Sequence, residues 1–280
     1  MRVGLVSNCW KTQLEQGQDL VDLVGRAAER GLRAIELRQG CLGRFETSEQ
    51  QRPLSGLLSE LPRRFADLSF SVALSLPFLN PGWNPADSLF AAGLESARAV
   101  AGSSVPHLRL VDLETGDGLS EADERLTVDG LKRIADQARA ADCLLSLEHA
   151  RQPWEQFRRI LIAGNRGRDP DHRIGLCYDP CNLLLASDRP DPQHATRSLG
   201  SERVTMVHFK QSRAGRVLGD MGPGELDWGD LAESLAGLGD CGPGLFEIAP
   251  TADVWDALDR SVEYAVAVGL PLLIGRSSPD

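Results

Sequence analysis

The feature that most constrains the fold of this chain is an alternation that runs from end to end: short apolar, β-branched runs separated by longer stretches whose apolar residues recur at helical spacing. Eight runs read as strands, over residues 3–9, 34–37, 71–76, 107–111, 144–148, 174–178, 204–210 and 244–248. Helices are predicted between them, among others over 20–29, 85–101, 127–141, 154–163, 226–238 and 252–267. Ala28-Glu-Arg-Gly31 ends a helix with glycine just past its last turn and re-enters a strand at once, as in wound α/β folds. Strands separated by helices run parallel, and a parallel sheet needs cover on both faces. Eight such units meet that need by closing on themselves, and 280 residues fit one such barrel. An open doubly wound sheet would carry a GxGxxG turn after its first strand, whereas Val3-Gly-Leu-Val-Ser-Asn-Cys runs directly into Trp10. The expectation is therefore a single (β/α)8 TIM-barrel domain over 1–280, its tail from about 270 to 280 loosely ordered.

Composition narrows the class of function. Hydrophobic residues make up 42% and charged residues 25%, which excludes disordered, collagen-like and disulfide-scaffold chains. The net charge of −10 opposes polyanions, so no nucleic-acid partner is expected. There is no signal-like N-terminus and no 18-residue apolar span, hence no membrane association is expected. Six cysteines lack CxxC spacing, and Cys143 and Cys177 fall inside strand-like runs as small apolar fillers, which suits a reducing, cytoplasmic setting.

In such a barrel, chemistry sits where strands end at the C-terminal mouth. Glu148, Asp179, His208 and Glu247 end or follow the apolar runs of strands five to eight in succession. Alternation puts Ser146 with Glu148, and Met206 with His208 and Lys210, on shared faces. Taken singly, Glu148 and His208 read as well as a surface charge or a buried ion-pair partner as they do as metal ligands. Together, three carboxylates converging on one partly dry mouth repel, and on this reading a bound cation relieves them. Three carboxylate oxygens and one imidazole nitrogen suit one divalent ion, Mn²⁺ or Mg²⁺ ahead of Co²⁺ or Zn²⁺. The Gly-rich, charged segment 212–224 follows the seventh strand and is expected at the same end.

The stretches Tyr178-Asp-Pro-Cys-Asn-Leu-Leu-Leu-Ala, Val207-His-Phe-Lys and Gly222-Pro-Gly-Glu-Leu-Asp-Trp resemble the xylose isomerase-like TIM barrels, specifically the sugar phosphate isomerase/epimerase family, over nearly the whole chain. The resemblance implies that Glu148, Asp179, His208 and Glu247 hold one divalent metal, and that Glu148 and Glu247 also act as acid/base groups. Three positions depart from its pattern. Asn182 stands where epimerases of the family carry His, and the third strand ends in Ser75-Leu-Pro-Phe without one. Strand five ends Glu148-His149-Ala150 rather than Glu-Asn-His.

The function expected from this reading is isomerisation or epimerisation of a small sugar, sugar phosphate or related hydroxy-carbonyl compound, by Glu-mediated proton transfer through a metal-stabilised enediolate. The alternatives are a metal-dependent dehydratase or lyase acting on an inosose-like or 3-keto sugar, and a non-catalytic sugar-binding barrel. A trinuclear zinc endonuclease is excluded because five histidines are too few for its ligands. Lys210, Trp10, Glu36, Arg38, Arg109 and Asn182 are the candidate substrate contacts. For these the plainer readings are charge balance at Lys210, a Glu36–Arg38 ion pair at the mouth and core packing at Trp10. The partner expected is a small carbohydrate-like molecule, and self-association into a homo-oligomer is compatible with the sequence.

Overall fold

In a computed structural model the described residues are 1–273 without 117, 201 and 240, so the tail from 274 onward lies outside them. The strands are β1 (Val3–Val6), β2 (Ala34–Arg38), β3 (Ser69–Ser75), β4 (His107–Val111), β5 (Leu144–Glu148), β6 (Gly175–Tyr178), β7 (Val204–Phe209) and β8 (Gly244–Phe246). They pair in parallel in sequence order, and β8 closes onto β1. Helices cover the outside, and the main core lies between them and the sheet, with Trp154, Trp228 and Phe157 among its fully buried side chains. Among the described residues no helix is long and apolar enough to cross a membrane, and the six cysteines are buried thiols.

Three departures from the predicted elements have local causes. The first strand stops at Val6, and Ser7–Trp10 turn as a 3₁₀ helix. Ser7 Oγ accepts the Arg38 N–H at 2.9 Å, and the Cys9 thiol reaches the Phe246 carbonyl at 3.4 Å, both of which bend the chain across the barrel rim. The helix expected from residue 127 begins at Glu121, because the Ser120 side chain accepts the Asp123 N–H and Glu121, Asp123 and Glu124 complement the positive end of the helix. That polar first turn carries no apolar periodicity. Cover after β2 and after β6 comes from short pieces, Ser55–Leu58 and Glu60–Arg64, then Pro180–Leu183 and Pro192–Arg197.

Inside the barrel, inward-facing residues form layers that lift the polar groups to the mouth. At Gly4 a Cβ would lie 1.9 Å from the Ala34 carbonyl oxygen, so β1 approaches β2 there only as glycine. Val6, Ala34, Cys177, Met206 and Leu245, from five strands, make a small apolar cluster of their own. Thr205 is an extra residue where the β6–β7 register shifts, a bulge that turns its hydroxyl to Ser146 Oγ at 2.7 Å. Ser146 Oγ in turn lies 2.6 Å from His107 Nε2. Burial pushes His107 down to about 4, which keeps this buried ring neutral.

Candidate active site

Glu148 is the last residue of β5, Asp179 and Glu247 directly follow β6 and β8, and His208 lies one residue before the end of β7. Asp179 caps the Pro180–Leu183 helix: its Oδ1 accepts the N–H groups of Cys181 and Asn182 at 2.9 and 3.2 Å, and Oδ2 is left toward the barrel axis. His208 Nδ1 faces the other three, with Glu247 Oε2 at 3.1 Å, Glu148 Oε1 at 3.5 Å and Asp179 Oδ2 at 3.9 Å. One donor atom from each of the four lies within 4.8 Å of all the others.

Two atoms each about 2.1 Å from a common ion stand about 3.0 Å apart at a right angle and about 3.4 Å apart at a tetrahedral angle. The spacings around His208 fall in and just beyond that range, so the donor set fits one divalent ion. His208 Nδ1 and Asp179 Oδ2 are buried and make no hydrogen bond, as unsatisfied donor atoms of such a site would be. Lys210 Nζ does pair ionically with that aspartate oxygen at 2.5 Å, although outside hydrogen-bond angles.

The expectation that an ion is needed to relieve the acidic residues is corrected by the side chains around them. Arg109 is 1% exposed, engages Glu36 through two nitrogens at 3.1 and 2.6 Å, and reaches Glu148 Oε2 at 2.7 Å. Lys210 Nζ lies 3.0 Å from Glu247 Oε2, and Arg38 Nη1 lies 3.3 Å from Glu247 Oε1. Four carboxylates therefore face three permanent cations supplied by the chain itself, and their clustering alone does not demand a metal. What points to one is the spacing of donors around His208 Nδ1.

The same cations set the ionisation of the site. Burial works against charge on Glu247, but Lys210, His208 and Arg38 hold its carboxyl well below the usual range. Burial likewise opposes charge on Glu148, and Arg109 and His208 outweigh it. Asp179 moves the other way, because burial, with Glu148 and Glu247 nearby, exceeds the pull of Lys210. Burial disfavours the His208 imidazolium, yet Cys177, Glu148 and Glu36 around it raise it well above its ordinary value. Its Nε2 lies 3.3 Å from Glu36 Oε2 and 3.4 Å from Cys177 Sγ.

A cavity of about 320 Å³ opens above these groups, lined by Glu148, Asn182, Lys210, Glu247 and Arg38 among the predicted residues. Asn182 donates to Glu148 Oε1 at 3.0 Å and to the His149 carbonyl at 2.8 Å, so it orients a carboxylate. Glu36 and Arg109 lie beneath the cavity rather than in its wall, and the expected Glu36–Arg38 pair is replaced by Glu36–Arg109 and Arg38–Glu247. Trp10 is fully buried with its ring 5.9 Å from that of Trp255, which makes it core and not a mouth contact. His149 turns outward onto Trp154 and Phe157, its Nε2 at the Gln152 carbonyl. Segment 212–224 does lie at the mouth: Ser212–Arg213 and Arg216–Val217 form a hairpin, and Val217 lines the cavity. Two lining residues with polar side chains escaped sequence reasoning, Asn8 and Arg151. Asn8, which donates to Glu247 Oε1 at 3.1 Å, continues the Gly4, Val6 alternation past the end of β1, a signal that was readable.

The family model for the xylose isomerase-like TIM barrel matches residues 24–262. No curated protein sequence matches the chain. A structure of D-allulose 3-epimerase from Methylomonas sp. aligns with a TM-score of 0.71 at 16% identity, covering 96% of this chain and 98% of that one. An L-ribulose 3-epimerase aligns at 0.64 and 15% identity over 100% and 89% of the two chains. A D-psicose 3-epimerase determined in the presence of D-fructose aligns at 0.65 and 12% identity over 96% and 99%. At these identities the likeness concerns the fold.

Proposed function

Because the chain belongs to the xylose isomerase-like TIM barrel family, we propose that it is a divalent-metal-dependent isomerase or epimerase of a small sugar, sugar phosphate or related hydroxy-carbonyl compound. The observation that carries this reading is the convergence of Glu148, Asp179 and Glu247 on His208 Nδ1 at the floor of a sugar-sized cavity. The ketose 3-epimerases of the same fold support it.

In this reading Glu148, Asp179, His208 and Glu247 hold the ion, with Mn²⁺ or Mg²⁺ favoured by the predominance of carboxylate oxygens. When bound, the ion draws electron density from the substrate's carbonyl and hydroxyl oxygens and so acidifies the adjoining C–H. Glu148 and Glu247 are the proton carriers, one removing the proton and the other returning one at the neighbouring position or the opposite face. Arg109 and Asn182 keep Glu148 charged and oriented, and Asn8, Arg38 and Lys210 do the same for Glu247. Carboxylates held this way are weak bases, so they accept a proton only from a strongly acidified carbon, and for the same reason they give it up readily.

The test is entry of solvent deuterium at the substrate carbon, followed by NMR across ketoses, ketose phosphates and inososes with Mn²⁺ present. Glu148→Gln and Glu247→Gln are each expected to slow exchange by about 10²- to 10⁴-fold. Undiminished exchange in both variants contradicts the assignment.

A further inference from the structure

Arg151 lines the mouth cavity and takes no part in the chemistry above. It stands three residues past the end of β5, it is exposed, and among the described residues no hydrogen bond or ion pair engages its side chain. Arg158, Arg159 and Arg168, farther along the same segment, are all paired with carboxylates. Arg38, from β2 and three strands away around the ring, touches Glu247 through Nη1 alone and leaves its side chain 27% exposed.

Charge balance gives these two guanidinium groups a purpose. Once an ion is held, His208 serves as a neutral ligand, and Glu36, Glu148, Asp179 and Glu247 against Arg38, Arg109 and Lys210 sum to one negative charge before the ion is counted. A divalent ion makes it one positive, and Arg151 makes the mouth two positive on a chain whose net charge is −10. A neutral sugar offers the rim guanidinium of Arg151 no charged partner. A substrate bearing a phosphate or carboxylate does, and a guanidinium fork matches either group. Leu113, Leu185 and Val217, exposed in the same wall, supply no competing acceptor.

Building on the metal-dependent reading, we propose that the substrate is an anionic hydroxy-carbonyl compound whose phosphate or carboxylate is held by Arg151, with Arg38, while its hydroxy-carbonyl end reaches the acidic floor. The guanidinium of Arg151 is thus a specificity group at the rim, remote from the atoms that react.

Calorimetric binding of D-fructose, D-fructuronate and D-fructose 6-phosphate to the Mn²⁺-loaded protein tests this, since the three differ only at the terminal carbon. Either or both anions should bind about tenfold or more tighter than D-fructose, and which of them does so identifies the group as phosphate or carboxylate. In Arg151→Met that gap should close to about threefold or less, with Arg151→Lys in between. Equal affinity for all three compounds, or a gap untouched in Arg151→Met, overturns the proposal. Solvent deuterium entry into the same three compounds separates the two readings. Exchange without anion preference sinks the anion site alone, and anion preference without exchange counts against the proposed reaction while supporting the site.

Discussion

The ammonium of Lys210 lies 2.5 Å from Oδ2 of Asp179, so an internal cation sits against one of the four donor atoms that would surround a metal. The same ammonium reaches Glu247 at 3.0 Å. Replacing Lys210 with Met leaves two buried carboxylates without their partner, and breaking a buried pair in this way costs about 3–5 kcal/mol. The Lys210→Met protein is therefore expected to melt well below wild type in EDTA, to regain most of that loss with Mn²⁺, and to bind Mn²⁺ more tightly than wild type. Thermal unfolding with and without the ion checks all three, and equal melting of the two proteins in EDTA counts against the ion-pair role.

Arg109 is expected to matter more for folding than for substrate contact. It is 1% exposed and neutralises both Glu36 and Glu148 from below the cavity. Arg109→Met should lose about 3–5 kcal/mol in urea unfolding, and adding Glu36→Gln should recover part of it by removing one of the stranded charges. Strict additivity of two losses would show that the pair is not coupled.

A pH dependence follows from His107. Its pKa falls from the ordinary 6.5 to about 4 in the folded protein, so between those values the unfolded chain binds more protons. No penalty exists above 6.5; as pH falls toward 4 the folded state loses up to about 3 kcal/mol, the free energy equivalent of that shift. His107→Gln, which can still bond Ser146, is expected to flatten this part of the stability profile. A profile with the same slope in both proteins would assign the effect elsewhere.

Trp10 separates core from mouth. Because it packs on Trp255 out of reach of the cavity, Trp10→Phe should lower stability by about 1–2 kcal/mol and leave substrate affinity as it was. A raised KM with unchanged melting would return Trp10 to the substrate site.

The eight strands were legible as short apolar runs between helix-spaced segments, and the four polar residues because they end or directly follow the last four of those runs. Pairings around the ring were not. Glu36 and Arg109 are 73 residues apart and meet only through strand order and register, which is why Arg38 looked the nearer partner for Glu36. Charge balance at Lys210 was readable from its face, but its partners Asp179 and Glu247 are fixed only by β6 and β8 flanking β7. Trp10 followed a strand in the sequence, but the turn at Ser7–Trp10 swings its ring into the helix layer. The bulge at Thr205 leaves no mark in the apolar pattern of β7.

The central claim is that Glu148, Asp179, His208 and Glu247 together bind one divalent ion. Titration of metal-stripped protein with Mn²⁺, followed by the loss of the free-ion EPR signal, tests it most directly. The account expects one ion per chain, with binding weakened at least about a hundredfold in both Asp179→Asn and His208→Ala, which keep their fold by circular dichroism. Binding that is absent in wild type, or that persists unchanged in both variants, would contradict it.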